Sequence, residues 1–181
     1  MWAPDRISSV PEGGWPRIVK RRVAGKPSRE KRQTRPESRN EIMKAQHSIP
    51  IRIYWEDTDA SGLVYHTSYI RFMERGRTEL LRTLELDQRA LLEGAAGAPI
   101  FFVVRAMDID FRKPALMDDL LSVETRVTEI GGASIDLDQR VIRNGELLVG
   151  ARVKVVCVEN GRARRLPADV RTKFENALTA S

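Results

Sequence analysis

Cysteine occurs once in the 181 residues, at Cys157, and histidine twice, at His47 and His66. A single thiol excludes an intrachain disulfide framework and suits a reducing compartment. Three such side chains are also too few for a structural zinc site, and neither a metal nor a cofactor is expected. Aromatic residues are sparse at 6%. No apolar run approaches the roughly 18 residues that a membrane span requires, and no signal-type segment opens the sequence. What is present is sufficient for one packed domain, with hydrophobic residues at 41%. These features together point to a soluble cytoplasmic protein without a metal centre.

The net charge of +6 is unevenly placed. Residues 1–48 hold 12 Lys and Arg against 5 Asp and Glu, whereas residues 49–181 hold 19 against 20. The basic character therefore belongs to a leader, residues 1–47, which also carries Pro4, Pro11, Pro16, Pro27 and Pro36. No helical or strand period crosses it, and its composition is that of a segment unable to bury enough surface to order itself. A disordered tail is the plainest reading. Translation starting at Met43 is a second, and a polyanion-binding arm built on Arg17, Lys20, Arg21, Arg22, Lys26, Arg29, Lys31 and Arg32 is a third. Trp2 and Trp15 lie outside the densest basic run, so nucleic acid is not the expected partner.

Residues 48–178 are periodic. Ile51, Ile53 and Trp55 alternate with Arg52, Tyr54 and Glu56, the period of a half-buried strand. A turn-rich DTDASG follows. Tyr69, Phe72, Met73, Gly76, Leu80 and Leu84 then form one stripe of a long amphipathic helix. Gly76 costs that helix stability and is best explained by close approach to another backbone. Asp87 can cap a short second helix that Gly94 ends. Four strands are expected beyond it. The first places Phe101, Val103, Met107, Ile109 and Phe111 on one face, interrupted by Arg105. The others carry Leu121 to Val127, Ile135 to Val141 and Val149 to Cys157. Gly131-Gly132 and Asn144-Gly145 suit primed hairpin turns, so the last three strands form a meander, and residues 167–178 close the chain as a helix. The class is α+β, with an antiparallel five-stranded sheet covered by one long helix. Its open edges favour pairing with a second copy, as a dimer or a dimer of dimers.

The chemistry concentrates between the first strand and the long helix. Asp57 and Asp59 bracket a turn, His66 is the only histidine of the body, and the unpaired N–H groups of a helix start form a ready oxyanion site. A carboxylate that attacks or activates water, facing such donors, suits hydrolysis of an activated acyl group. A thioester suits so sparse a site, because its leaving thiol ionises at about 8–9 and needs little acid assistance, although from spacing alone a thioesterase is one reading among several. Each part also has a bland reading: the aspartates as turn or cap residues, His66 as a packed imidazole, Tyr65 and Tyr69 as core aromatics.

The run EDTDASGLVYHTSYIRFMERGRTELL closely resembles the signature of the hot-dog-fold acyl-CoA thioesterases of the YbgC type. These are associated with the Tol–Pal system and are relatives of the 4-hydroxybenzoyl-CoA thioesterases. FVVRAMDIDFRKPALMDDLL and VKVVCV resemble them too. The resemblance covers the body and not the leader. It implies a sheet wrapped around a central helix, dimers, and hydrolysis of short-chain or aromatic acyl-CoA. It further implies that Asp59 is the catalytic carboxylate, as nucleophile or general base. His66 is implied at the helix start, where a backbone N–H polarises the carbonyl and the ring joins the site. Gly62 and Tyr65 are expected to contact substrate, and Asp57 to hold the turn. The sequence departs from the pattern at Ser61, where the family often has glycine, and at Leu63, where it often has valine.

Two other readings stand beside this one. A dehydratase of 3-hydroxyacyl thioesters would use His66 with Glu74 or Glu79 of the helix. A non-catalytic thioester-binding body would recruit acyl carrier protein or envelope partners, with the leader as tether. Arg112, Lys113, Arg143 and Arg152 are available for the phosphates of coenzyme A, none of them assigned.

Overall fold

The computed structural model describes residues 47–95 and 97–179. The leader expected over residues 1–47 lies outside the described residues apart from His47. Among the described residues no helix is long and apolar enough to cross a membrane.

The chain runs β1 (His47–Arg52), a 3-10 turn (Trp55–Asp57), α1 (His66–Thr83) and α2 (Gln88–Leu92), followed by β2 (Phe101–Phe111) and β3 (Leu120–Ile130). It continues with β4 (Ser134–Arg143), β5 (Glu146–Glu159), β6 (Arg162–Ala163) and α3 (Ala168–Thr179). The antiparallel sheet has the order β1-β3-β4-β5-β2, with the two-residue β6 added on β5. The five long strands and the β3-β4-β5 meander are as expected. So is the covering helix: α1 lies against β1, β3 and β4.

The apolar stripe of α1 decides this packing. Tyr69, Phe72, Met73 and Leu80 are at most 3% exposed and meet inward residues of the sheet such as Val123, Val127, Val141 and Val149. Gly76 sits at the closest approach. A Cβ there would stand 2.9 Å from Thr125 Oγ1, 3.1 Å from Val123 Cγ1 and 3.3 Å from Gln139 Nε2. This seam holds a sealed polar cluster. Gln139 donates from Nε2 to Met73 O and Thr125 Oγ1, both at 2.9 Å, and Gln139 Oε1 accepts from Arg77 at 2.6 Å. Arg77 also pairs with Glu74. Each buried polar group finds a partner, which is the condition on which such a cluster is tolerated.

Three local expectations need correction. Trp55 is not an inward strand residue. Asp57 Oδ2 accepts the Tyr54 N–H at 3.1 Å, closing a 3-10 turn after β1 has ended, and Trp55 stands 71% exposed on it. In β2 the inward face changes at Arg105, where the register with β5 shifts between Val104 and Ala106. The bulge sets two residues against one and inverts the alternation. Phe102, Met107 and Ile109 therefore pack inward, while Phe101 and Val103 are exposed. Asn144 and Gly145, with φ of +51° and +82°, make the expected primed turn, but neither Gly131 nor Gly132 has a left-handed φ. There the chain reverses more widely, with the Gly131 N–H bonded to Ser134 O at 2.8 Å.

Candidate active site

Between the 3-10 turn and α1 the chain folds into a short two-stranded ribbon. The Tyr65 N–H bonds Asp57 O at 2.9 Å, Thr58 bridges Val64, and the Asp59 N–H bonds Leu63 O at 2.9 Å. The Gly62 N–H closes the turn on Asp59 O at 2.9 Å, with Gly62 at φ +76°. A side chain there would disfavour this conformation, which accounts for glycine by backbone geometry alone. The ribbon also meets the loop after β2, through the Val64 N–H to Ala115 O and a bridge between Leu63 and Leu116.

The two aspartates have different surroundings. Asp57 is 4% exposed. Its carboxylate takes the Tyr54 N–H on one oxygen and the Arg71 guanidinium on the other at 3.0 Å, while its carbonyl also accepts Ser68 Oγ at 3.0 Å. Both carboxylate oxygens are occupied, so this residue holds the turn, as expected. Asp59 lies in the open. Its Oδ1 accepts the Ser61 N–H at 2.8 Å and also the Ser61 hydroxyl. The Ser61 hydroxyl, then its N–H, hold the carboxyl below the usual aspartate range, with the Leu63 contact adding in the same direction and slight burial opposing. No hydrogen bond to Oδ2 is seen among the described residues, and the residue is exposed.

Helix α1 starts at His66, and no side chain caps it. Within its first turn the Ser68 N–H bonds Tyr65 O at 2.8 Å. Among the described residues the N–H groups of His66 and Thr67 are left as donors at the positive end of an 18-residue helix. The His66 ring is exposed and stands edge-on between two aromatics, 4.3 Å from the Tyr65 ring centroid and 6.5 Å from that of Phe111. Phe111 also meets Tyr69 at 6.0 Å. Tyr69 is a core residue whose hydroxyl accepts the Ala115 N–H at 2.8 Å, and burial raises its pKa.

The ribbon sets Asp59 and Gly62 at its turn and leads through Tyr65 to His66 at the start of α1, with only Tyr65 and His66 in direct ring contact; these four residues form the candidate corner. Phe111 joins them and was read from the sequence only as a strand residue. Its place beside His66 depends on the end of β2 meeting the start of α1, and no local pattern carries that. Glu74 and Glu79 are not at this corner. They lie roughly 12 Å and 20 Å further along the helix axis and are engaged with Arg77 and Arg82. Of the cations considered for phosphates, Arg112 pairs with Asp110, Lys113 with Glu146, and Arg143 with Asp119. A small cleft of about 50 Å³ opens between α1 and the sheet near Arg77, Phe102 and Phe174, and none of the corner residues lines it.

The sequence profile of the Thioesterase-like superfamily matches residues 53–177, which takes in the ribbon, α1 and strands β2 to β5, with β1 just before it. The acyl-CoA thioesterase YbgC of Haemophilus influenzae is 47% identical over 131 residues, 71% of this chain and 94% of the relative. The acyl-CoA thioester hydrolase YbgC of Escherichia coli is 41% identical over 129 residues, 70% of this chain and 93% of the relative. Among solved structures, a probable thioesterase from Bartonella henselae superposes with a TM-score of 0.65 at 41% identity, covering 67% of this chain and 98% of that one. The chain belongs to the thioesterase-like superfamily and, within it, to the acyl-CoA thioesterases of the YbgC type.

Proposed function

We propose that the protein hydrolyses short-chain or aromatic acyl-CoA thioesters to the free acid and coenzyme A, with Asp59 as the catalytic carboxylate. The observation that carries this reading is the contrast between the two aspartates. Asp57 has both oxygens occupied within the fold, whereas Asp59 presents an ionised carboxylate with one oxygen open. That oxygen can take a proton from a water molecule as the water adds to the thioester carbon, or can add to the carbon itself and form an anhydride that water then cleaves. In either route the carbonyl oxygen becomes an oxyanion. First-turn N–H groups of α1 are suited to hold it, and the His66 ring to orient substrate or water. Collapse expels the thiolate, which takes the proton held by Asp59 on the general-base route or one from solvent on the anhydride route and leaves as coenzyme A. Tyr65 and Gly62 flank the approach, and the neighbouring rings of Tyr65, His66 and Phe111 offer a surface against which an acyl group can pack.

The working unit is a homodimer or a dimer of dimers. Support comes from β2, an 11-residue edge strand with Phe101, Val103, Val104 and Phe111 each at least 38% exposed. An edge so long and apolar is one that proteins cover. A coenzyme A or acyl carrier protein carrier, a cytoplasmic setting and a Tol–Pal association are further parts of the reading drawn from the resemblance. The dehydratase alternative has less support, since Glu74 and Glu79 stand along the helix away from His66.

The test is thiol release from a panel of acyl-CoA esters by the full chain and by Asp59→Asn. The expected result is turnover on short or aromatic esters by the wild type and its loss in the variant. Full turnover by the variant would remove Asp59 from the mechanism, and enoyl product without thiol would establish the dehydratase instead.

A further inference from the structure

Asp59 receives two hydrogen bonds from Ser61 on the same oxygen. The backbone N–H reaches Oδ1 at 2.8 Å, and the hydroxyl reaches it as well. The first bond is an ordinary feature of an Asx turn. The second is not required by the turn, whose shape is already fixed by three backbone links: Gly62 N–H to Asp59 O, Asp59 N–H to Leu63 O, and the Thr58–Val64 bridge. Ser61 is exposed, and its φ is not left-handed, so the residue is neither a core element nor a strained one. An exposed hydroxyl would ordinarily be solvated. Here it is turned back onto the carboxylate assigned to catalysis.

We propose that Ser61 is a positioning residue for the thioesterase reaction, its hydroxyl and N–H together clamping Oδ1 of Asp59 so that Oδ2 alone meets the substrate. The proposal rests on the reading of Asp59 as the catalytic carboxylate and goes beyond it. A free aspartate side chain samples several rotamers and can present either oxygen. Two donors on one oxygen fix the carboxylate plane before substrate arrives, which lowers the ordering cost of reaching a reactive geometry. Donors to a carboxylate also favour its ionised form, so the group remains a competent base or nucleophile at lower pH than a free aspartate would. The direction of the Asp59 shift agrees, the Ser61 hydroxyl being its largest cause. The clamp trades some basicity for alignment and for an activity that extends further toward acid.

The experiment compares wild type, Ser61→Ala, Ser61→Thr and Asp59→Asn as full chains, with kcat and KM measured across the acid limb on one acyl-CoA that the wild type cleaves. Released thiol is followed with a disulfide reagent that reports at acid pH. Ser61→Ala keeps the N–H bond and loses the hydroxyl. Its acid limb is expected to move to higher pH, so that kcat falls several-fold more on the limb than at neutral pH while KM changes little. Ser61→Thr restores a hydroxyl and is expected to return the limb toward that of the wild type. Thermal melting unchanged between wild type and Ser61→Ala would separate the effect from loss of fold. An acid limb that coincides in Ser61→Ala and wild type, beside an inactive Asp59→Asn, would overturn the role of Ser61 and leave Asp59 standing. A loss in Ser61→Ala that is uniform with pH and unrelieved by Ser61→Thr would overturn it too. Turnover retained by Asp59→Asn would instead bring down the underlying assignment.

Discussion

Gly62 lies in the ribbon at φ +76°, with nothing within 4 Å of the place a Cβ would occupy. Gly76 lies in the seam between α1 and the sheet with an unremarkable φ, and its Cβ would press on Thr125, Val123 and Gln139. The first is glycine because of what its backbone does, the second because of what its neighbours leave no room for. The polar groups around them differ in the same sense. In the seam Gln139, Thr125 and Arg77 are at most 7% exposed and satisfy one another. In the ribbon Asp59 keeps a free oxygen, His66 an exposed ring and α1 an uncapped start. Closed polar networks give rigidity, while open ones retain the capacity to bind and react. The molecule sets the open one on a short ribbon at the start of α1 and the closed one midway along that helix.

The comparison breaks most visibly at Asp59. Replacing it with Asn keeps the acceptor for the Ser61 N–H and most of the turn but removes the negative oxygen. The expectation is a fall in kcat of roughly a thousandfold, the usual scale for a general base or nucleophile. Because the side chain is exposed, the melting temperature should barely move. If activity and melting temperature fell together, Asp59 would belong with the structural class that Asp57 represents.

The reverse signature is expected in the seam. Gln139→Leu matches the volume but removes the acceptor of Arg77 and the donor to Thr125, which are then buried without that partner. The loss is about 2–4 kcal/mol, from one or two unsatisfied buried groups. It should be read in denaturant melts, with kcat per folded molecule close to that of wild type. A kcat that fell in proportion would mean that the seam reaches the site.

How much of this was legible in the sequence depends on the range of the interaction concerned. The stripe of α1, the cap at Asp87, which accepts the Arg89 and Ala90 N–H groups, and the Asn144-Gly145 turn are short-range, and each was readable. The close approach at Gly76 was readable as a need, since a glycine inside an apolar stripe calls for a reason, but not as contacts with Thr125 and Gln139. The bulge at Arg105 was visible only as an interruption. Whether one charged residue breaks a face or inverts it is decided by pairing with β5, far along the chain. At the site, the turn and helix start followed from residue types. The division of labour between Asp57 and Asp59 came from the resemblance. Phe111 arrives through sheet topology, and the Ser61 clamp through a rotamer; neither leaves a mark in spacing.

Gly76→Ala sharpens the packing side of the contrast. The added methyl meets the short, bonded, fully buried Thr125 side chain, which cannot swing away cheaply. Overpacking costs about 1–3 kcal/mol, and roughly 1 kcal/mol of helix propensity returns. A net loss of up to about 2 kcal/mol is expected, seen as a drop of a few degrees in melting temperature. A gain in stability would show that the seam has slack and that Gly76 is not there for lack of room.

Gly62→Ala is the smallest perturbation and the most discriminating. No atom opposes the new methyl, so the penalty is that of a left-handed φ alone, about 1 kcal/mol. The chain can accept that strain or relieve it by turning residue 62 to a negative φ, which would break the Gly62 N–H bond to Asp59 O and rotate the clamped carboxylate. Relief by rotation therefore predicts a loss of kcat out of proportion to the loss of stability, the opposite of the pattern expected for Gly76→Ala. Gly62→Asn provides the control, because asparagine tolerates the left-handed region and should recover part of both quantities. If Gly62→Ala and Gly76→Ala lowered stability while leaving kcat equally untouched, the ribbon would be as indifferent to its backbone as any surface loop. The distinction between a ribbon that aims a carboxylate and a seam that only packs helix against sheet would then be lost.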